Sequence, residues 1–272
     1  MYITYSLEHF ADLPPLFEDR DAVFHPPTGG LTHVLVHSRG DVSLQITGEE
    51  DVLEALKNGV EIKLVLVDRD EDCSEIIEIC NSMNIRVVEG SSTDLWRMSA
   101  NGQQKVLALI EREPLGTLEE VFEREGAIWL FDGVEYAPNL GFGVRTAEVS
   151  GATAVIINVS KTHEERRTIR RASMRATRFI PVVYATTEEI LAACNRRIVV
   201  AEDVGGKAPW QTDLTGDVLL VVGAENAGVS KEVLAAADEI VRLPMPGFIP
   251  SYNLQVAVSA LAIERIRQIQ SE

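Results

Sequence analysis

The chain has 272 residues, 46% of them hydrophobic, and a net charge of −17, which suits two modest domains or one large one with a sizeable core. No run reaches the roughly 18 apolar residues of a membrane span, and MYITYSLEHF lacks the basic start and apolar stretch of a secretory signal. Cys73, Cys80 and Cys194 form no C-x-x-C pair, and His9, His25, His33, His37 and His163 show no ligand spacing, so a reduced, cytoplasmic protein without a metal is expected.

Residues 1–40 are punctuated by Pro14-Pro15 and Pro26-Pro27-Thr28-Gly29-Gly30, with a short strand expected over 32–37. From residue 42 strands and helices alternate. Strands are expected at 43–47, 62–67, 85–88 and 105–110, and helices at 48–58, 72–83 and 91–98. This scale of alternation predicts a three-layer α/β unit. Residues 1–113, leader included, carry nine basic against 21 acidic residues, a poor surface for gripping phosphates.

Glu113-Pro114-Leu115-Gly116 reads as a linker. Thr117 then caps a helix to about residue 125, with Glu120 in the capping-box position. AIWLFD, residues 127–132, is a buried strand, and a loop over 133–138 leads to Asn139. The helix at 140–150 has small residues early, where the backbone must approach something closely. Further strands are expected at 151–158, 181–184 and 198–201, with a helix at 188–195. Residues 161–178 hold seven cations against Glu164 and Glu165. Such a group either faces a polyanion or forms a solvated, salt-bridged helix face.

A flexible GGKAPW stretch leads to the last fifty residues. There an apolar strand at 218–222 ends in Gly223-Ala224-Glu225 and a small-residue turn to Gly228. Ser230 can cap the following helix. A strand at 239–243 meets the stiff Pro244-Met245-Pro246-Gly247, and Ser251-Tyr252-Asn253 opens an apolar terminal helix. Two strand exits and a helix start, close in sequence, can build a ligand cup from backbone groups. The whole region predicts a parallel sheet with helices on both faces. Gly141-Phe142-Gly143-Val144-Arg145-Thr146 lacks the third glycine of a dinucleotide-binding turn.

These residues also carry a resemblance. Gly-x-Glu after a strand, the Leu-Pro-Met loop and Ser-x-Asn at a helix start resemble motifs 2 and 3 of the SpoU/TrmH family of SPOUT-class RNA 2′-O-ribose methyltransferases. NLGFGVRTAE, residues 139–148, resembles motif 1, and the three occur in order. The resemblance implies a SPOUT-type parallel sheet with a C-terminal trefoil knot over 114–272. It also implies a small α/β RNA-binding-like domain within 1–113. A homodimer with a shared active site, S-adenosyl-L-methionine as cofactor, and ribosomal rather than transfer RNA as substrate follow from it.

Carried over residue by residue, the resemblance makes Arg145, Asn139, Glu225 and Asn253 the catalytic set. Arginine stays protonated, so holding phosphate and stabilising developing charge suits Arg145 better than acting as base. Asn139 would orient Arg145 or cap its helix. Glu225 would anchor Arg145, Asn253 or the ribose, or complement a helix N-terminus. Gly223, Ala224, Glu225, Gly228, Leu243, Met245, Ser251, Tyr252, Asn253 and Leu254 would form the cofactor cup. Arg145, Arg166, Arg167, Arg170, Arg171 and Arg175 would face RNA. Ala224, Tyr252, Leu254-Gln255 and Arg175 depart from the family's usual residues. A second function stays open, a non-catalytic RNA- or ribosome-binding protein that retains the pocket.

Overall fold

In the computed structural model, residues 45–99, 102, 105–110, 112–249 and 251–271 are described. The strand expected at 32–37 lies outside them. The chain divides after Ile110 into two units.

The N-terminal unit runs β1 (Gln45–Thr47), α1 (Glu49–Lys57), β2 (Ile62–Asp68), α2 (Ser74–Ser82), β3 (Arg86–Gly90), α3 (Ser92–Met98) and β4 (Val106–Ile110). The sheet order is β1-β4-β2-β3. β2 and β3 are parallel, whereas β4 runs antiparallel to both β1 and β2. Alternation along β2 explains its near-continuous apolar run. Val65 and Val67 pack with Val52 and Leu56 of α1 and Ile76 and Cys80 of α2. Leu64 and Leu66 point to the opposite face, where α3 packs with its buried Leu95.

The C-terminal unit contains α4 (Leu118–Phe122), β5 (Ala127–Asp132), α5 (Ala137–Val149), β6 (Ala154–Ile157), α6 (His163–Ala172) and β7 (Val182–Tyr184). It continues through α7 (Thr187–Ala193), β8 (Arg197–Ala201), β9 (Val218–Gly223), α8 (Lys231–Ala235), β10 (Glu239–Val241) and α9 (Leu254–Ile269). The six strands lie in the order β10-β8-β9-β5-β6-β7, and every pairing is parallel. On one face Trp129, Phe131 and Leu220 pack with Leu140 and Val144 of α5 and Val258 and Leu261 of α9. On the other, Ile128, Leu130, Leu219 and Val221 pack with Val121 of α4, Ile190 of α7 and Val233 of α8. Burying each of these large side chains contributes about 1.5–3 kcal/mol.

The early small residues of α5 now have a cause. A Cβ on Gly141 would lie 2.5 Å from Ala172 Cβ and 2.7 Å from the Ile169 carbonyl, and one on Gly143 would lie 2.4 Å from the Phe131 ring. Glycine lets α5 settle between α6 and the sheet.

Local readings shift in four places. α5 starts at Ala137, with Tyr136 at the N-cap and no side-chain cap; Pro138 has no amide to lose in that first turn. Asn139 therefore sits inside the helix and does not cap it. The basic helix stops at Ala172, because Met174 and Arg175 take left-handed φ values of 52° and 65° before a 3-10 turn at Ala176–Arg178. Arg175 is thus off the helix. The GGKAPW stretch is built in: Lys207 N donates to the Ile240 carbonyl at 3.1 Å and its own carbonyl accepts from Arg242 N at 2.8 Å. Those bonds use groups that the edge strand β10 would otherwise leave open. Ser230 occupies the N-cap of α8 but makes no side-chain cap bond.

Candidate active site at the strand ends

Register puts the site together. Asp132 ends β5 beside Gly223 of β9, Ala201 of β8 lies beside Val222, and Val241 of β10 lies beside Ala201. Four parallel strands therefore release their loops at one edge, the usual place for ligands in such sheets.

A cleft of about 480 Å³ opens there. Gly223, Ala224, Glu225, Gly228, Leu243, Met245, Ser251, Tyr252 and Leu254 all line it. Asn253 is absent from the lining; its Oδ1 accepts from Gln255 N at 2.9 Å and so caps α9. Its own geometry is that of an N-cap.

The loop after β9 is held tightly. Ala224 and Gly228 exchange backbone bonds of 3.1 and 2.9 Å. A Cβ on Gly223 would lie 2.2 Å from Gly228 C and 2.3 Å from Val229 N, so only glycine permits this turn. Tyr252 Oη donates to the Pro244 carbonyl at 2.9 Å, tying the Pro-Met-Pro loop to the start of α9.

Sequence reasoning missed Glu202. It lines the cleft, and its carboxylate accepts from Val229 N at 2.9 Å and from Asp203 N at 2.9 Å. A Cβ on Gly228, whose φ is +66°, would meet it at 2.5 Å. The available signal was a carboxylate directly after an apolar parallel strand. Asp132 is a second missed organiser. Buried at the end of β5, it accepts from Ser230 N at 2.6 Å and from Asn158 Nδ2, while Asn158 Oδ1 accepts from Gly133 N at 2.7 Å.

Asn139 is buried, and its Nδ2 donates to Glu225 Oε1. The first turn of α5 is thereby fixed to the rim of the cleft. Glu225 is held by Asn139 rather than by Arg145 or Asn253. Arg145 is exposed on α5 and is not among the cleft-lining residues. Among the described residues it shows neither a hydrogen bond nor an ion pair.

The cation group sorts itself by environment. Lys161 is buried and donates to the Glu135 carbonyl at 2.6 Å, a structural role. Arg166 Nε donates to the Lys161 carbonyl at 3.1 Å, and its guanidinium lies 4.3 Å from the Tyr184 ring centroid. Arg167, Arg170 and Arg171 are exposed along α6, and Arg175 is half-buried in its left-handed turn.

Electrostatics restrict the ligand. Glu202, Asp203 and Glu225 line the cleft, Asp203 in an ion pair with Arg242, and no Lys, Arg or His lines it among the described residues. Such a wall disfavours a phosphate-bearing cofactor and suits a cationic or neutral one. A sulfonium nucleoside with an ammonium group fits that wall, with backbone amides and carbonyls to hold its neutral parts. Among the described residues no three His, Cys, Asp or Glu side chains converge to hold a metal ion, and no helix is long and apolar enough to cross a membrane.

Comparisons with known proteins agree with this geometry. The sequence model of the SpoU rRNA Methylase family matches residues 126–263. The chain is 35% identical over 203 residues to the 23S rRNA (guanosine-2′-O-)-methyltransferase RlmB of Pseudomonas aeruginosa, covering 71% of this chain and 82% of that one. It is 28% identical over 241 residues to the protein of the same name from Xanthomonas campestris, covering 82% and 96%. In fold it is similar to an AdoMet-bound rRNA methyltransferase from Sinorhizobium meliloti, with a TM-score of 0.55 and 24% identity over 83% of this chain and 87% of that one. With its ordered motifs, its parallel sheet and these relatives, the chain belongs to the SpoU rRNA methylase family.

Proposed function

We propose that the chain is an S-adenosylmethionine-dependent RNA 2′-O-ribose methyltransferase that acts on ribosomal RNA as a cytoplasmic homodimer. The observation that carries the reading is the cleft at the carboxyl ends of β8, β9 and β10, lined by Glu202, Asp203 and Glu225 and, among the described residues, by no Lys, Arg or His. When bound, the cofactor supplies an electrophilic methyl on a sulfonium. Backbone groups of the Gly223–Gly228 turn not used in the Ala224–Gly228 exchange, with those of Leu243 and Met245, would hold it, and Ser251, Tyr252 and Leu254 would close one side. Glu225, fixed by Asn139, sits at the mouth, where the ribose enters. Arg145 would hold the phosphate next to the reacting 2′-hydroxyl and stabilise the oxygen as its proton passes by way of that phosphate to solvent. Asn253 caps α9 and keeps that wall in place. Arg166, Arg167, Arg170, Arg171 and Arg175 guide the RNA backbone.

A dimer gives a role to Arg145, which is exposed and not among the residues lining its own cleft. Phe142, Arg145 and Val149 share one face of α5 by their i, i+3, i+7 spacing. Phe142 and Val149 are exposed there, as are Val256 and Ile263 on α9, which packs beside α5. A partner covering this apolar stripe receives Arg145 next to its own cleft. The family's trefoil knot is supported by the chain path: from edge strand β10, α9 returns to pack on α5 and β9. We read residues 114–272 as the methyltransferase domain and residues 1–113 as a substrate-side domain whose acidity leaves phosphate contacts to α6. Three free cysteines, two of them buried, suit a reducing compartment.

The non-catalytic alternative is not favoured, since the relatives are named as methyltransferases. Mapping ribose methylation on ribosomal RNA treated with the purified protein tests the function. Arg145→Ala should slow transfer by about a hundredfold or more while S-adenosylhomocysteine affinity, measured by calorimetry, holds. Unmethylated RNA with the wild-type protein would reject the reading.

A further inference from the structure

Tyr136 is 61% exposed on a loop that is otherwise pinned. Gly133 N is held by Asn158 Oδ1 at 2.7 Å, the Glu135 carbonyl by Lys161 Nζ at 2.6 Å, and Asn139, one helical turn on, by Glu225. Residue 136 is the N-cap of α5, its carbonyl accepting from Leu140 N at 3.2 Å. The main chain at this position is therefore rigid while the ring stands in solvent.

Its neighbours lie on two sides. Three residues on, Asn139 donates to Glu225, which lines the cleft. Through Glu135 and Lys161, whose carbonyl binds Arg166, the loop adjoins the start of the arginine-bearing helix α6. The pinned loop that carries this ring is thus bonded at one point to the start of the arginine-bearing helix and at another to a residue of the cleft. A base that unstacks as its nucleotide enters a cleft is held on an aromatic face.

We propose that Tyr136 is the stacking platform for the base of the nucleotide being methylated. This rests on the methyltransferase reading above. The ring, not the hydroxyl, does the work, so the platform is tolerant of base identity and acts on RNA binding rather than on the cofactor.

The test uses the full-length protein and an rRNA fragment carrying 2-aminopurine at the methylated position, that position having first been mapped with wild type. Tyr136→Ala should weaken RNA binding by about tenfold to a hundredfold and abolish the fluorescence change, raising KM for RNA far more than it lowers kcat. Tyr136→Phe and Tyr136→Trp should restore both. S-adenosylhomocysteine affinity should match wild type in all three, which also reports that each variant folds. Tyr136→Ala binding RNA as wild type does would overturn the platform, as would Tyr136→Phe failing as badly as Tyr136→Ala. If wild type methylates nothing, the enzyme reading fails first, and the two failures are told apart.

Discussion

The two sheets of this chain start from the same material and end differently. β2 and β9 are both nearly continuous apolar strands buried on both faces. In the N-terminal sheet β4 runs antiparallel beside β2, and Asp68 N at the end of β2 donates to the Lys105 carbonyl at 2.9 Å. The returning strand therefore begins where β2 ends, and the carboxyl ends of this sheet's strands do not share one edge. In the C-terminal sheet all six strands run the same way, so their carboxyl ends share one edge and their loops enclose a cleft. Burial alone does not make a site; strand direction does.

Substitutions at matched positions sharpen this contrast. The largest effect is expected from Gly223→Ala. Its Cβ would overlap Gly228 and Val229 backbone at 2.2–2.3 Å, so S-adenosylhomocysteine affinity by calorimetry should fall about tenfold to a hundredfold or more. Gly59→Ala in the other unit has open space around its Cβ but φ of +72°. It should cost about 1 kcal/mol of stability in urea unfolding and leave binding unchanged.

Next comes Glu202→Ala, which frees the Val229 and Asp203 amides. Stranding the buried Val229 donor costs about 1–3 kcal/mol, while the exposed Asp203 amide turns to water; S-adenosylhomocysteine binding should weaken by about tenfold. Asp68→Ala is the counterpart at the end of β2, where Asp68 Oδ1 accepts from Asp70 N at 3.1 Å. It should leave binding as it was; if both variants bind alike, Glu202 does not organise the cleft.

The smallest effect concerns acid stability. α6 and α7 start with full Thr-x-x-Glu capping boxes, whereas α1 and α2 have no side-chain cap. Amide and then hydroxyl donation from Thr162 and Thr186 holds the Glu165 and Glu189 carboxyls below their ordinary 4.5. A lowered carboxyl value means stability present in full above 4.5 and lost as pH falls through the lowered values. Urea midpoints measured from neutral pH downward should therefore drop below that point. The Thr162→Ala/Thr186→Ala double variant should be less stable at neutral pH and show a shallower fall.

Much of this was readable from local signals. The apolar runs located β2, β5 and β9, and Thr117 with Glu120 announced the capping box at α4 that the structure contains. The same T-x-x-E pattern stands at 162–165 and 186–189, where the structure has two further capping boxes. The glycines of α5 announced close packing, although not that Phe131 and α6 were the neighbours. The helix boundaries were harder. Pro138 pointed to a later start for α5, yet proline fits the first helical turn; and nothing in Met174-Arg175 reveals a left-handed turn, since neither is glycine.

By itself the sequence determined where strands and helices lie, which positions must stay small, and the ordered motifs that place the chain in its family. Those are short-range matters, set by side-chain alternation, backbone sterics and caps within a few residues. Only the tertiary structure decided that Glu225 meets Asn139 from 86 residues away, that Glu202 braces the turn after β9, and that Arg145 is not among the residues lining the cleft. Such pairings depend on strand order and crossover path in a parallel sheet, where neighbours in space are far apart along the chain.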